Sequence, residues 1–365
     1  MKYWRGYLVA GIVAILTWAL TQFASAHGRL LDMIYPYVTR LVQTSLAQWS
    51  SGVDYCLWQV LFLFGIGAIL ASVVLMVALR WNPIQWFGWV LAAVCFVNLV
   101  NTGLYALNVR TNSIADDMHI STADYSISAL EEATVYYLET ANELSSKVMR
   151  TKDGGMKKLE FYKLSEQAAD GFTTLVKVNH YPVFAGSTLP VKKLDWTDEG
   201  VTGKTVGLTG EAAVNPNVPA AGMPFAMCKE MAKRMSIASE GDSNFAAYMA
   251  CAANSDATFQ YSGWLMAFRS CYNALKRESS TSAKAALQRV ENLMSKQVKT
   301  DLKAYNSFLG DKAGKAHNPT VNLFVNWHIE TVVLPIQEAA DAEADPLFDP
   351  LDENDPRLSG LLGNS

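Results

Sequence analysis

The sequence has little charge and few cysteines. Charged residues make up 18% of its 365 residues, compared with about 25% in an average soluble domain. With only five cysteines, a disulfide-dense small protein is excluded, and an apolar fraction of 50% excludes a disordered chain. There is also no block of lysines and arginines, which argues against nucleic acid as a partner because phosphate binding needs clustered positive charge.

Charge is unevenly distributed along the chain. Residues 1–110 carry six basic and two acidic side chains, whereas the following 255 residues carry 24 basic and 32 acidic ones. This division excludes a simple soluble enzyme and predicts a membrane anchor followed by one folded domain. We expect the anchor at 1–109, the domain at 110–337 and an acidic tail at 338–365.

Three apolar stretches are long enough to cross a bilayer, which takes about 20 residues at helical rise. They run from Gly6 to Ala24, from Tyr55 to Leu79 and from Ile84 to Leu107. Residues 80–83 are all that separates the second from the third, which predicts a tight helical hairpin. The first stretch also fits a signal peptide, so cleavage of residues 1–26 stays an open alternative.

Positive charge sets the expected topology. Lys2, Arg5 and Arg80 mark cytoplasmic ends of the spans. Arg29 and Arg40 lie in the loop expected between the first two spans and weaken this argument without reversing it. We therefore expect the domain after residue 110 to lie outside the cytoplasm.

The domain is predicted to be mainly α-helical with a small β element. The segment from Pro182 to Pro224 is rich in Gly, Thr, Pro and Val, which favours loop with one or two strands. Helical spacing of apolar residues predicts helices over 126–147, 156–178, 224–235, 243–253, 257–276 and 282–309.

The segment from Met227 to Met235 has the spacing of a zinc-binding motif. Lys229 and Lys233 are four residues apart and therefore project from one face of a helix, with Glu230 beside them. This is the layout of H-E-x-x-H, in which two histidines bind zinc and the glutamate activates water. Here both histidines are lysines. Asp242 follows where a peptidase of this type supplies its third ligand from a second helix.

With these residues the chain resembles the bacterial domain-of-unknown-function family 3810, regarded as integral-membrane metallopeptidases. The resemblance covers most of the chain and depends on the order of several short matches. These are Thr209 to Asn215, Pro224 and Phe225 before the 229–233 helix, Asp242 to Phe245, and Tyr261-Ser262-Gly263.

The resemblance implies a helical metallopeptidase-like domain after three transmembrane helices, in a bacterial inner (cell) membrane. It places the histidine ligands on Lys229 and Lys233, the general base on Glu230 and the acidic ligand on Asp242. An ammonium group has no lone pair for a metal, and deprotonating a lysine at pH 7 costs roughly 4 to 5 kcal/mol. We therefore expect no zinc or other cofactor, and a vestigial role for Glu230.

Two arrangements of the lysines remain open. In one, the ammonium groups of Lys229 and Lys233 join Glu230 and Asp242 in a cluster that links two helices by charge-assisted hydrogen bonds. In the other, both lysines face solvent together with Arg234.

Other residues give weaker signals. Glu211, Asn215 and Tyr261 are candidates for lining a peptide groove, although turn and strand-end hydrogen bonding is an equal alternative for Glu211 and Asn215. The sequence has five histidines, and no two of them share a metal-binding spacing.

The function expected from the sequence is that of a catalytically inactive metallopeptidase homologue, with a binding or regulatory role outside the cytoplasm. Besides the lipid bilayer, its expected partner is a peptide or a membrane protein. The alternatives are an active membrane peptidase that uses another kind of site, and a structural subunit of a membrane complex.

Overall fold

Three helices at the N-terminal end are long and apolar enough to cross a membrane, which confirms the three predicted apolar helices. The computed structural model describes residues 2–314 and 318–337. These candidate spans are α1 (Arg5–Ala26), α3 (Leu57–Ala78) and α4 (Pro83–Leu104). Between α3 and α4 the side chain of Asn82 accepts hydrogen bonds from the backbone N–H groups of Ile84 and Gln85. This cap and the proline at the start of α4 explain the tight hairpin.

The spans are not packed equally. α1 lies directly against α4, because a Cβ atom on Gly6 would be 2.5 Å from the carbonyl carbon of Gly88. Such close approach of two helix backbones needs small residues. The apolar part of α3, by contrast, has no buried residue. α3 is held at its first turn, where the Gln59 side chain donates a hydrogen bond to the carbonyl oxygen of Trp196 at 2.8 Å.

The prediction of a loop between the first two spans is wrong, since this segment forms helix α2 (Gly28–Ser50). One face is directed into the protein through buried Thr39, Gln43, Ala47 and Ser50. The opposite face exposes large apolar residues, namely Leu30, Met33, Ile34, Tyr37, Val38, Leu41 and Trp49. An exposed apolar face is typical of helices that lie in the interface of a bilayer.

The remainder of the described chain is mostly helical, as predicted. Its α-helices are α5 (Ile114–Met118), α6 (Ile127–Ser145), α7 (Phe161–Lys177), α8 (Met223–Arg234), α9 (Glu240–Ala252), α10 (Ala257–Arg277), α11 (Thr281–Leu293), α12 (Lys296–Leu309) and α13 (Asn318–His328). Short 3-10 turns occupy Lys2–Trp4, Ala106–Arg110, Pro182–Phe184, Ala220–Gly222 and Gly310–Lys312, and a π-helical turn follows α13 at Ile329–Val333.

The prediction of a single helix over 282–309 is wrong, because the helix is interrupted at residues 294–295, between α11 and α12. Ser295 begins α12 as its N-cap, and its hydroxyl accepts a hydrogen bond from the backbone N–H of Val298 at 3.2 Å. A serine in this role stops one helix and starts the next.

The β element is a sheet of three strands, one more than predicted. The strands are β1 (Lys192–Lys193), β2 (Gly203–Val206) and β3 (Glu211–Val214). β3 is central, with β1 parallel to it on one side and β2 antiparallel on the other. β2 therefore provides the edge beside the site described below.

The core surrounds α8. Met227, Cys228, Met231 and Ala232 of this helix are fully buried, and α8 packs against α9, α10 and the sheet. The predicted tail, 338–365, lies outside the described residues. The domain boundary predicted at 109 and 110 falls within the 3-10 turn Ala106–Arg110.

Candidate functional site

α8, which carries the motif-like segment, is fixed at both ends. Near its start, the backbone N–H of Phe225 donates to the Ser262 hydroxyl at 3.1 Å. At its end, the Arg40 guanidinium of α2 donates from Nε to the carbonyl oxygen of Met235 at 3.1 Å. A cation at this position is stabilised by the negative end of the helix dipole. Ser236 then takes a left-handed conformation, φ 73°, and turns the chain toward α9.

Ser239 is the N-cap of α9. Its hydroxyl accepts a hydrogen bond from the Asp242 N–H at 3.0 Å and donates one to the Asp242 carboxylate at 2.7 Å. Glu240 is consequently the first residue of α9, where a negative charge is favoured by the helix dipole. The turn between the helices brings this glutamate back to α8.

Four charged side chains meet between α8 and α9, and we call them the lysine–glutamate cluster: Lys229, Glu230, Lys233 and Glu240. The Lys229 ammonium is hydrogen-bonded to Glu240 Oε1. Lys233 Nζ lies 3.4 Å from Glu240 Oε2 and 3.6 Å from Glu230 Oε1. The lysine side chains are only 12% and 19% exposed. The hypothesis that Lys229 and Lys233 face solvent with Arg234 is therefore wrong.

The prediction that Asp242 is the acidic partner of the two lysines is wrong, because Glu240 takes this role. The Asp242 carboxylate accepts hydrogen bonds from the hydroxyls of Ser113, at 2.8 Å, and of Ser239, at 2.7 Å. It lines a separate cavity of about 150 Å³ together with Arg40 and Asp117. Because its carboxylate is hydrogen-bonded to these two serines, Asp242 is not the partner of the lysines, and the residue two positions before it takes that place.

Glu230 is the most deeply buried member of the cluster, with 1% of its side chain exposed. The Thr205 hydroxyl of β2 lies 2.8 Å from Glu230 Oε2 and donates to it. β2 approaches closely, since a Cβ atom on Gly203 would lie 2.6 Å from Glu230 Cγ. The carboxylate is thus held between a strand hydroxyl on one side and the Lys233 ammonium on the other.

The charges of the cluster perturb one another. Burial lowers the pKa of Lys229. Burial also opposes the charge on Lys233, but Glu230 and Glu240 outweigh it and raise the pKa of that ammonium. For Glu240, burial acts to raise the pKa, yet Lys229 and Lys233 prevail and bring it to about 2. Lys233 and Glu240 are therefore both charged at neutral pH.

These residues do not fit the zinc ion that the resemblance implies for relatives with intact histidines. The two ammonium groups can only donate hydrogen bonds, so they cannot bind a metal ion. They also form ion pairs with the carboxylates of Glu230 and Glu240. Within residues 2–314 and 318–337, no group of three or more His, Cys, Asp or Glu side chains is placed to hold a metal ion.

Arg234, next along α8, is buried without a carboxylate partner in the described part of the chain. Its side chain donates to the carbonyl oxygens of Ser187, at 3.1 Å, and of Leu189. Burial lowers its pKa to about 10. Arg234 therefore ties α8 to the loop that precedes β1 and is not part of a basic surface.

Glu211 does not line a groove, which corrects one candidate. Its carboxylate accepts hydrogen bonds from the backbone N–H groups of Leu57 and Trp58, both at 2.8 Å, and from Lys192 Nζ at 2.8 Å. Leu57 and Trp58 are the first residues of α3, whose N–H groups have no partner within the helix. Glu211 is thus the cap that attaches α3, a candidate membrane span, to the central strand.

The other two groove candidates also have structural partners. The Tyr261 hydroxyl donates to Asp301 at 2.6 Å, and the tyrosine is fully buried. The Asn215 side chain donates to the carbonyl oxygen of Val201 at 2.9 Å and accepts from the Asn217 N–H at 2.9 Å. Tyr261 is therefore not a groove residue, and the strand-end alternative describes Asn215.

Sequence reasoning missed Glu240 and Thr205. Ser239 with an acidic residue three positions later is an N-cap signature, and it places Glu240 at the first turn of a helix directly after the lysine helix. For Thr205, the sequence offers no such signal, because its contact with Glu230 depends on how β2 lies across α8.

An open cavity of about 480 Å³ adjoins the cluster. Its wall includes Lys229 and Glu240, together with Arg269, Tyr305 and Lys312. The Arg269 guanidinium lies 5.2 Å from the centre of the Tyr305 ring and donates to the Asn306 side chain at 3.0 Å. Three cations and one carboxylate give this cavity a net positive lining.

Comparison with known proteins identifies a family. Residues 31–328 match the model of a family described as "Protein of unknown function (DUF3810)". Neither the curated proteins nor the solved structures contain a match to the chain. The matched region begins in α2, ends with α13 and includes the whole lysine–glutamate cluster. Because the match spans more than half of the sequence, the chain belongs to this DUF3810 family.

Proposed function

We propose that the chain is a membrane-anchored, catalytically inactive metallopeptidase homologue that binds polypeptides outside the cytoplasm. The observation that carries the proposal is the lysine–glutamate cluster. Two ammonium groups occupy the turn of α8 where H-E-x-x-H would present imidazoles to zinc. They are paired with Glu240 and Glu230 instead.

The state of Glu230 supports the loss of catalysis. A general base has to lie within hydrogen-bond reach of a substrate or water proton. One oxygen of Glu230 accepts from the Thr205 hydroxyl, and the other faces Lys233 Nζ at 3.6 Å. The carboxylate is also buried. In this setting Glu230 stabilises the contact between α8 and β2.

Binding is the role that this arrangement leaves in place. The cavity beside Lys229 and Glu240 is open and has a volume of about 480 Å³, which is within the range of ligand pockets, about 300 to 1,000 Å³. The edge strand β2 runs beside the same helix, and edge strands bind extended peptides through main-chain hydrogen bonds.

The experiment uses the full chain purified in detergent. We expect a fluorescein-labelled casein peptide to bind saturably by fluorescence anisotropy, with no cleavage and far less than one zinc per chain by elemental analysis. Stoichiometric zinc, or cleavage that Glu230→Gln abolishes, would overturn the proposal in favour of an active peptidase. Absence of saturable binding would overturn it in favour of a structural subunit.

The proposed location, a bacterial inner membrane with the domain outside the cytoplasm, follows from Lys2, Arg5 and Arg80. It is tested by labelling intact spheroplasts with a membrane-impermeant maleimide. We expect Ser279→Cys, on an exposed domain loop, to react, and Trp81→Cys, in the hairpin turn, to react only after lysis. The reverse pattern would place the domain in the cytoplasm.

A further inference from the structure

A larger cavity lies where the membrane helices meet the sheet. Its volume is about 950 Å³. Its wall contains Trp58 and Phe62 of α3 and Asn101 of α4, and it also contains Lys204 and Thr205 of β2. One cavity therefore touches two candidate membrane spans and the edge strand of the site.

The position of the lining residues places the cavity at the membrane surface. Trp58 and Phe62 belong to the first two turns of α3, and Asn101 to the last turn of α4. In a helical hairpin these two ends lie on the same side of the bilayer. The Trp58 ring lies beside that of Trp196, with ring centres 5.8 Å apart and an interplanar angle of 54°, and tryptophan is typical of the membrane–water interface.

The cavity continues into the lipid-facing surface of the protein. Because the apolar part of α3 has no buried residue, this helix stands apart from the close pair formed by α1 and α4. Exposed Phe62 is shared between the lipid-facing surface of α3 and the cavity wall. A polypeptide segment can therefore enter the cavity laterally from the bilayer and reach β2.

The edge of β2 that β3 does not use has free hydrogen-bonding groups. The Asn215 N–H donates to the Thr202 carbonyl at 2.9 Å, and the register continues with Lys204 opposite Ala213. In an antiparallel pair the intervening residues, Gly203 and Thr205, direct their N–H and C=O groups away from the partner strand. No partner for these groups is found within the described chain.

The side chains of the wall favour an apolar occupant that carries carbonyl groups. Aromatic rings form much of the wall, and Lys204 Nζ lies 4.3 Å from the centre of the Trp58 ring. The free N–H and C=O groups of the strand edge would pair with the backbone of a bound peptide.

We propose that the bound polypeptide is an extended, apolar segment of another membrane-inserted chain, captured where that chain leaves the bilayer. The segment adds to β2 as a fourth strand. Thr205 then connects the bound strand to the cluster, because its backbone faces the cavity and its hydroxyl bonds Glu230. This inference rests on the proposed function and specifies its partner.

The test places the full chain in lipid vesicles with a photoreactive phenylalanine analogue at Val109, which lines the cavity. The main probe is a fluorescent Leu/Ala transmembrane peptide followed directly by six alternating Val and Thr residues. Matched probes carry methylated peptide nitrogens in that segment, add a flexible Gly/Ser spacer of about 20 residues before it, or lack the transmembrane part. A photoreactive, labelled phosphatidylglycerol is the lipid probe.

We expect the directly anchored segment to cross-link saturably and at least ten times more tightly than its methylated version, which cannot pair with β2. We expect Ala106→Trp, which fills the cavity, to weaken binding at least tenfold. Val178→Trp, at an exposed site elsewhere, should leave binding unchanged.

Several outcomes would overturn the inference. Equal binding of the methylated probe would exclude strand addition, and preferential cross-linking of the lipid would make the cavity a lipid site. Binding that requires the spacer would place the groove away from the bilayer. Tight binding of the soluble segment alone would remove the membrane origin but leave the proposed function intact, whereas failure of every peptide probe, casein included, would remove both.

Discussion

Replacement of Lys233 by methionine tests whether the lysine–glutamate cluster stabilises the fold. Methionine keeps most of the side-chain length and removes the charge. The Lys233–Glu230 separation of 3.6 Å corresponds to roughly 4 to 5 kcal/mol of attraction at an effective dielectric constant of about 20. Because Glu230 stays buried without its cation, we expect the free energy of unfolding to fall by about 3 kcal/mol.

A double-mutant cycle isolates the pair from other effects. Lys233→Met, Glu230→Gln and the double variant are unfolded with urea as full chains in detergent micelles, followed by circular dichroism. The double variant should be more stable than the summed single effects predict, by about 2 kcal/mol. The matched control is the exposed pair Lys147–Glu143, with side chains 52% and 68% exposed, where the coupling should stay below about 0.5 kcal/mol.

The same double-mutant cycle can also refute the reasoning. If the coupling between Lys233 and Glu230 does not exceed that of the exposed pair, the ammonium is solvated and the reasoning about the cluster is refuted. Loss of stability in Lys233→Met without any coupling to Glu230 would instead assign the effect to Glu240, 3.4 Å from the ammonium.

Three further predictions follow from contacts described above. Glu240 has its pKa lowered from 4.5 to about 2, so its stabilisation is complete above about pH 4.5 and disappears toward pH 2. Since 49% of the side chain is exposed, solvent screening limits this to about 1 kcal/mol, and the difference in unfolding free energy from Glu240→Gln should vanish at low pH. Glu211→Ala leaves two N–H groups of α3 without their acceptor and removes the carboxylate beside the Lys192 ammonium, and should cost about 2 to 4 kcal/mol in urea unfolding. Lys229→His with Lys233→His should restore zinc binding in a metal titration, and adding Glu240→Ala should weaken it; no binding by the double variant would mean that the pocket is remodelled.

Much of the fold could be read from hydrophobic patterns, and the exceptions have physical causes. The three spans are continuous apolar runs that no local feature interrupts. α2 was missed because Pro36 and the charges of Arg29, Asp32 and Arg40 are features of loops. Within α2, the buried face is polar and the exposed face apolar, which is the reverse of the pattern expected in a soluble domain.

The positions of the two lysines on α8 were predictable from the sequence. Their acidic partner on α9 was not. The spacing of Lys229 and Lys233 places both on one face of α8 wherever that helix lies. Their acidic partner depends on the turn between α8 and α9, where left-handed Ser236 and the Ser239 cap select Glu240 and leave Asp242 to the serine hydroxyls. Likewise, Glu211 was a groove candidate beside the strand-end alternative, because nothing in the sequence shows that α3 begins beside β3.

Helix α2 connects a candidate membrane span to the site. The Thr39 hydroxyl lies 3.0 Å from the Asn108 side chain, just after α4, and 3.0 Å from the Ser236 hydroxyl, just after α8. Thr39 thus joins the segment after α4 to the segment after α8, the helix that carries both lysines. A displacement of α4 would therefore reach the end of α8 through Thr39, and with it the geometry of the cluster.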